Sequence, residues 1–206
     1  GHLLAASVMS APAAMVVAKI IYPETELSET SGDLNIIIEK PDSNAMEALG
    51  RGATEGLKLA ANVAAMLVAF VALIAMVNYL LTFADTSLQG ILGFIFRPLA
   101  WAMGISWEEA QMVGVLMGEK ITLTELIAYS DLRDLRLEQA ISDRTAIIAS
   151  YALCGFANFA SIGIQLGGIG GMAPERRKDL SALALKAMLG GALASWMTAS
   201  IAGILI

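Results

Sequence analysis

Few residues in this chain can do chemistry, and those that can sit in apolar company. Glu125 lies among Leu123, Leu126 and Ile127, while Asn158 and Ser161, three residues apart, fall inside a long uncharged stretch beside Phe156 and Phe159. A carboxylate offers acceptors only, whereas an amide and a hydroxyl both donate and accept, so the three together could hold a polar solute or an ion. Phe156 and Phe159 could pack against a planar ring. Each has a plainer role open to it. Glu125 either marks a functional site, the default for an ionisable group at membrane depth, or makes one structural hydrogen bond. Asn158 and Ser161 either line the site or glue helices together and bond their own i−4 carbonyls. The two Phe side chains either border the solute or fill space against lipid and core. Asn62 and Asn78 read as helix-packing contacts, Glu119-Lys120 as a solvated turn or local ion pair, and Cys154 and the 11 Met as packing atoms.

Other chemistries are excluded by what is scarce. One Cys and one His, His2, leave no disulfide framework, cysteine metal cluster, histidine triad or metal-ligating pair. No nucleophile stands with a base, so neither an enzyme nor a bound cofactor is expected. Net charge is −6, and the 13 basic residues form no stripe that could neutralise a row of phosphates, which excludes nucleic acid. Over 206 residues the chain is 57% apolar and 16% charged, with mean hydropathy +0.68. Soluble domains run about 45–50% and about 25%, so a membrane protein is the expectation. Gly1 rather than Met opens the chain and no basic leader precedes the apolar residues, so a piece of a longer protein is expected.

The elements that must position these residues follow from charge and hydropathy. Residues 1–22 read as a spanning helix from which Lys19 snorkels before Pro23. The acidic stretch 23–58, with breakers Gly32 and Pro41, reads as a cytoplasmic or interfacial connection, in which Asn44 and Glu47 fit a capping box opening an amphipathic helix. Segment 59–84 has no charge and, at about 1.5 Å per residue, outruns the ~30 Å hydrocarbon core. Segment 87–107 carries Arg97-Pro98 halfway and Trp101 and Trp107 near its end, which predicts a helix lying in the interface. Residues 108–135 read as two half-length helices separated by Gly118-Glu119-Lys120, a re-entrant hairpin tolerated at membrane depth only where protein or a water-filled cavity surrounds it. Segment 140–174 is dotted with glycines and predicts a broken spanning helix, unwound from Gly155 to Gly163. A last spanning helix, 180–206, has Gly190, Gly191, Ala194 and Ser195 for close packing.

The fold class is therefore an all-α membrane protein of spanning helices, a re-entrant hairpin and a discontinuous helix. Arg176, Arg177 and Lys178 place the turn before the last helix in the cytoplasm, so the C-terminus is expected outside and the hairpin enters from the external side. Broken membrane helices bring unsatisfied N–H and C=O groups to the midplane, where a polar solute or ion can bind.

At these residues the sequence resembles a known family. The run Cys154-Gly155-Phe156-Ala157-Asn158-Phe159-Ala160-Ser161-Ile162-Gly163-Ile164, followed by Leu166-Gly167-Gly168, resembles the broken penultimate helix of the concentrative nucleoside transporters. Gly1-His2-Leu3-Leu4-Ala5-Ala6-Ser7-Val8-Met9-Ser10-Ala11-Pro12 is similar to the family's segment just after its first-repeat substrate site. Asn62-Val63-Ala64-Ala65-Met66-Leu67 and Gly118-Glu119-Lys120 with Thr124-Glu125-Leu126-Ile127-Ala128-Tyr129 match further family stretches, in order along the whole chain.

The resemblance implies the second half of an inverted repeat in a nucleoside symporter coupled to sodium or protons, a trimer moving its transport domains past a scaffold. It implies that Glu125 binds ribose hydroxyls, that Asn158 and Ser161 help hold the ribose, and that Phe156 borders the base. A carboxylate can accept from two vicinal hydroxyls, which suits that role. Thr124-Glu125-Leu126 departs from the family's usual Asn, Glu, Phe but keeps the acid. The family's first hairpin, with most base contacts and most of the coupling-ion site, is expected before Gly1, so no metal site is expected within this chain and it should not transport alone. A bacterial inner membrane is expected from the short connection between Glu125 and Asn158 and the lack of an Asn-x-Ser/Thr acceptor. The alternative function is a membrane-embedded scaffold or assembly subunit with no solute of its own.

Overall fold

A computed structural model of the chain describes residues 1–25 and 42–206, and every regular element among them is helical. Three helices are long and apolar enough to cross a membrane: His2–Ile21, Ala45–Ala84 with its short terminal turn, and Pro174–Leu205. The first, α1 (His2–Ile21), carries Lys19 in its last turn and is followed by Tyr22 as its cap.

Helix α2 (Ala45–Leu81) begins where Asn44 Oδ1 accepts from the Glu47 N–H at 2.9 Å. Glu47 Oε2 returns to the Ser43 N–H at 2.8 Å, so the second half of the expected capping box closes one residue early. The helix then runs unbroken for 37 residues. It thus crosses the predicted boundary between 23–58 and 59–84, while the predicted breakers Gly32 and Pro41 lie outside the described residues. Gly50, Gly52 and Gly56 each cost only about 1 kcal/mol against Ala, too little to stop a capped helix that meets no Pro.

Helix α3 (Leu88–Ala102), capped by Ser87, occupies most of the segment predicted to lie in the interface. It lies backbone to backbone on α4 (Ala110–Thr122). A Cβ at Gly93 would stand 2.6 Å from Val115 Cγ2, and one at Gly114 would overlap Gly93 O and come within 3.2 Å of the Arg97 nitrogen. These glycines let the two axes approach closely, as small residues do in membrane helix pairs. Arg97 is engaged by Trp107: its guanidinium stacks 4.2 Å from the Trp107 ring and Nη2 donates to Trp107 O at 3.1 Å.

Helix α5 (Glu125–Leu137) follows α4 after Leu123 and Thr124 alone, so these two residues form the hairpin tip. Gly118-Glu119-Lys120, predicted as the turn, lie within α4. The restart falls at Thr124 because its hydroxyl caps the Ile127 N–H, a signal that outweighs one glycine.

The predicted broken helix is two helices, α6 (Asp143–Leu153) and α7 (Phe159–Met172). The last, α8 (Arg177–Leu205), packs on α1, α6 and α7. At one end Lys186 Nζ stands 5.4 Å over the Tyr22 ring. At the other, Arg144 donates to Gly203 O at 2.7 Å and to Gly104 O, while Glu109 accepts from Ser142, tying the base of the hairpin to the start of α6 and the end of α8.

Candidate functional site

The break between α6 and α7 occupies residues 154–158. Gly155 adopts φ +130°, a backbone conformation closed to ordinary L side chains, and this turns the chain out of α6. Helical geometry resumes at once because Asn158 caps α7. Its Oδ1 accepts from the Ser161 N–H at 2.8 Å, and the Ser161 hydroxyl accepts from the Asn158 N–H at 3.3 Å and donates to Asn158 O at 2.6 Å. This reciprocal box makes the unwound segment shorter than predicted: 159–163 are helical.

The same cap points the other end of the Asn158 amide at the hairpin. Asn158 Nδ2 donates to Glu125 Oε2 at 3.3 Å. Glu125 is the first residue of α5 and Asn158 the cap of α7, so a carboxylate and an amide meet between two helix N-termini. Both helix ends present free N–H groups and partial positive charge, which favours an anionic or acceptor-rich centre there. Asn158 is fully buried and Ser161 nearly so, whereas Glu125 is partly exposed.

Phe156, on the break, is 49% exposed, while Phe159 packs into the core. Phe156, Ala157, Ser161, Ile162 and Gln165 line a cavity of about 290 Å³ between α7 and α8, mostly apolar otherwise. Glu125 and Asn158 stand outside its walls. Thus Glu125, Asn158 and Ser161 form one hydrogen-bonded cluster, and Phe156 meets it at Ser161 on the wall of this cavity.

One group at the break was missed by sequence reasoning. Lys120, expected in a solvated turn or a local ion pair, is fully buried. Its Nζ donates to Ala152 O at 2.8 Å and to Ser195 Oγ at 2.6 Å. Tyr129, in the second arm, donates its hydroxyl to Ser150 O at 2.8 Å. The carbonyls at the open end of α6 are therefore satisfied from the hairpin. A Lys within the apolar run 110–122 was the available signal. Asn78, expected as a packing contact, bonds Gln89 Oε1 and the Leu88 N–H, both at 2.9 Å, and joins α2 to α3.

Three helices long and apolar enough to cross a membrane, a helical hairpin and a broken helix, with both discontinuities meeting at one polar pair, define an all-helical protein of the membrane class. The chain belongs to the family described as "Na+ dependent nucleoside transporter C-terminus", which it matches over residues 2–203. Uncharacterized transporter YutK of Bacillus subtilis is 46% identical over all of this chain and 52% of its own length. Sodium/nucleoside cotransporter 1 of Mus musculus is 41% identical, matching 98% of this chain and 35% of its own length. The chain thus spans about half the length of the bacterial relative and less of the mammalian one. Among solved structures it is similar to CNTnw in an inward-facing substrate-bound state, with TM-score 0.77 and 44% identity over 98% of this chain and 50% of that one. A CNTnw variant in its intermediate 2 state gives TM-score 0.85 at 44% identity, over 99% and 51%. These relatives are transporters, not enzymes.

Proposed function

We propose that this chain is the ribose-binding half of a cation-coupled nucleoside symporter, with Glu125 accepting from vicinal ribose hydroxyls and Asn158 and Ser161 helping to hold the sugar. Phe156 then borders the base. The observation that carries this reading is the Asn158 Nδ2 to Glu125 Oε2 contact across the two helix breaks. A carboxylate with a second oxygen free can accept from a diol, and a membrane protein has little reason to place such a group at a break unless a polar ligand completes it. Ser161 contributes mainly by holding the Asn158 cap, since its hydroxyl is committed to the Asn158 backbone.

Sodium is the favoured coupling ion, given the family description, with protons the alternative; most of its ligands would come from the other half of the complete protein. Almost the whole apolar surface of α2 is exposed and must be covered by lipid or by other protein, which accords with a trimer built on this helix. The cluster of Lys19, Arg176, Arg177, Lys178 and Lys186 at one end supports a cytoplasmic turn before α8 and an external C-terminus, in a bacterial inner membrane.

The test is uptake of radiolabelled uridine by the complete protein in vesicles with and without a sodium or proton gradient. Gradient-dependent accumulation is expected. A scaffold or assembly subunit would show none.

A further inference from the structure

Lys120 is a fully buried charge with no carboxylate partner: none of the ion pairs among the described residues includes it. Its two acceptors are neutral, Ala152 O and Ser195 Oγ, and the latter hydroxyl donates onward to Ala192 O at 2.8 Å. Burying an ammonium on such terms is costly, so its position asks for an explanation. Ala152 O is one of the last four carbonyls of α6, which have no partner within the helix and carry its negative dipole end. Tyr151 O takes the Cys154 N–H at 3.1 Å and Ser150 O takes the Tyr129 hydroxyl, leaving Ala152 O to the ammonium. Five residues further along the same hairpin, Glu125 meets Asn158 at the N-terminus of α7. The hairpin therefore grips the break at both lips, with a cation on the negative end and an anion on the positive end.

We propose that Lys120 is a positioning residue for the ribose site, the resident cation of this half of the transporter. Its ammonium locks the end of α6 to α4 and α8. This sets where the chain leaves α6 at Gly155, and so where Asn158 is delivered relative to Glu125. The inference rests on the reading of Glu125 and Asn158 as ribose ligands. An uncharged side chain at 120 would leave Ala152 O unpaired and the upper lip free to shift, misplacing the Asn158 amide and Phe156 beside it, while the base contacts expected from the other half of the complete protein stay in place.

The experiment is calorimetric binding of uridine and of 2′,3′-dideoxyuridine to the purified complete protein, comparing wild type, Lys120→Met, Lys120→Arg and Ser195→Ala. Loss of the positioned ribose contacts should weaken uridine binding to Lys120→Met by about tenfold or more, with dideoxyuridine changed by less than about threefold. Lys120→Arg keeps the charge and should keep most of the discrimination between the two ligands. Lys120→Met binding uridine within about twofold of wild type, or losing both ligands equally, would overturn the inference. Should Lys120→Met not fold, Ser195→Ala removes one of the two acceptors: a selective loss for uridine supports the role and wild-type binding overturns it. If wild type itself does not distinguish the two ligands, the ribose reading fails first, and the two failures are told apart.

Discussion

Asn158 performs two tasks with opposite ends of one amide, and two substitutions separate them. Its Oδ1 caps α7 through the Ser161 N–H at 2.8 Å, and its Nδ2 bonds Glu125 at 3.3 Å. Ser is as good a cap as Asn, so Asn158→Ser keeps the first task and abolishes the second. Its stability should fall by less than that of Asn158→Ala, because the cap is kept. Removing the bond to a carboxylate costs about 1.5–3 kcal/mol where the group takes part in binding, so the uridine Kd should rise roughly 10- to 100-fold. Asn158→Ala loses both tasks. It adds the cost of an empty cap, about 1 kcal/mol, which lowers the melting temperature as well. Calorimetry with uridine and thermal unfolding in detergent, on the complete protein, give the two numbers. If Asn158→Ser binds uridine like wild type, or if Asn158→Ser and Asn158→Ala are equally unstable, this division of labour is wrong.

The glycine seam and the base of the hairpin give two further expectations. At Gly114 a Cβ would overlap Gly93 O, so Gly114→Ala must push α3 off α4 and should destabilise by about 1–3 kcal/mol, whereas Gly56→Ala on α2, with nothing within 4 Å, should stabilise slightly; equal melting temperatures for the two variants would contradict the packing described. For Glu109, partial burial acts to raise the carboxyl pKa, but hydrogen bonds from Thr145, the Ser142 N–H and hydroxyl, and Ser106 outweigh it and hold the group below its ordinary 4.5. A depressed folded pKa contributes stability that is present above the ordinary value and lost as pH falls through the folded one, so wild type should lose melting temperature below about pH 4.5 faster than Glu109→Gln does. Parallel pH profiles for the two proteins would show that this carboxylate does not fasten the hairpin to α6.

Much of this arrangement was legible in the residues, and the misreadings share a cause. Glu125, Asn158 and Ser161 stood out because polar groups in apolar runs are expensive, and that cost does not depend on which helix is broken where. The break itself announced itself through Gly155. Its end did not, because the Asn158–Ser161 cap, only four residues long, competes with a run of glycines that suggests unwinding further along. At the hairpin tip the same contest was misjudged: Gly118 looked like a turn, but it serves helix packing against Leu92 and Gln89, and the turn belongs to the capping hydroxyl of Thr124. Glycine in a membrane chain marks close approach as often as it marks a break, and only the partner helix decides which. The partners of Lys120 were unreadable for a related reason. Its acceptors, Ala152 O and Ser195 Oγ, lie 32 and 75 residues away in sequence, so local pattern could show only a charge and not what holds it.

In the function proposed above, the Glu125 carboxylate at the meeting of hairpin and broken helix reads ribose hydroxyls. That role is tested most directly by a cycle of one substitution and one ligand change, measuring uridine and 2′,3′-dideoxyuridine affinities for wild type and Glu125→Gln in the complete protein. Exchanging one carboxylate oxygen for a donor removes charge-assisted acceptance worth about 1.5–3 kcal/mol, so wild type should prefer uridine by at least roughly tenfold and Glu125→Gln should prefer it by less than about threefold. An undiminished preference for uridine in Glu125→Gln would place ribose recognition elsewhere and contradict the account.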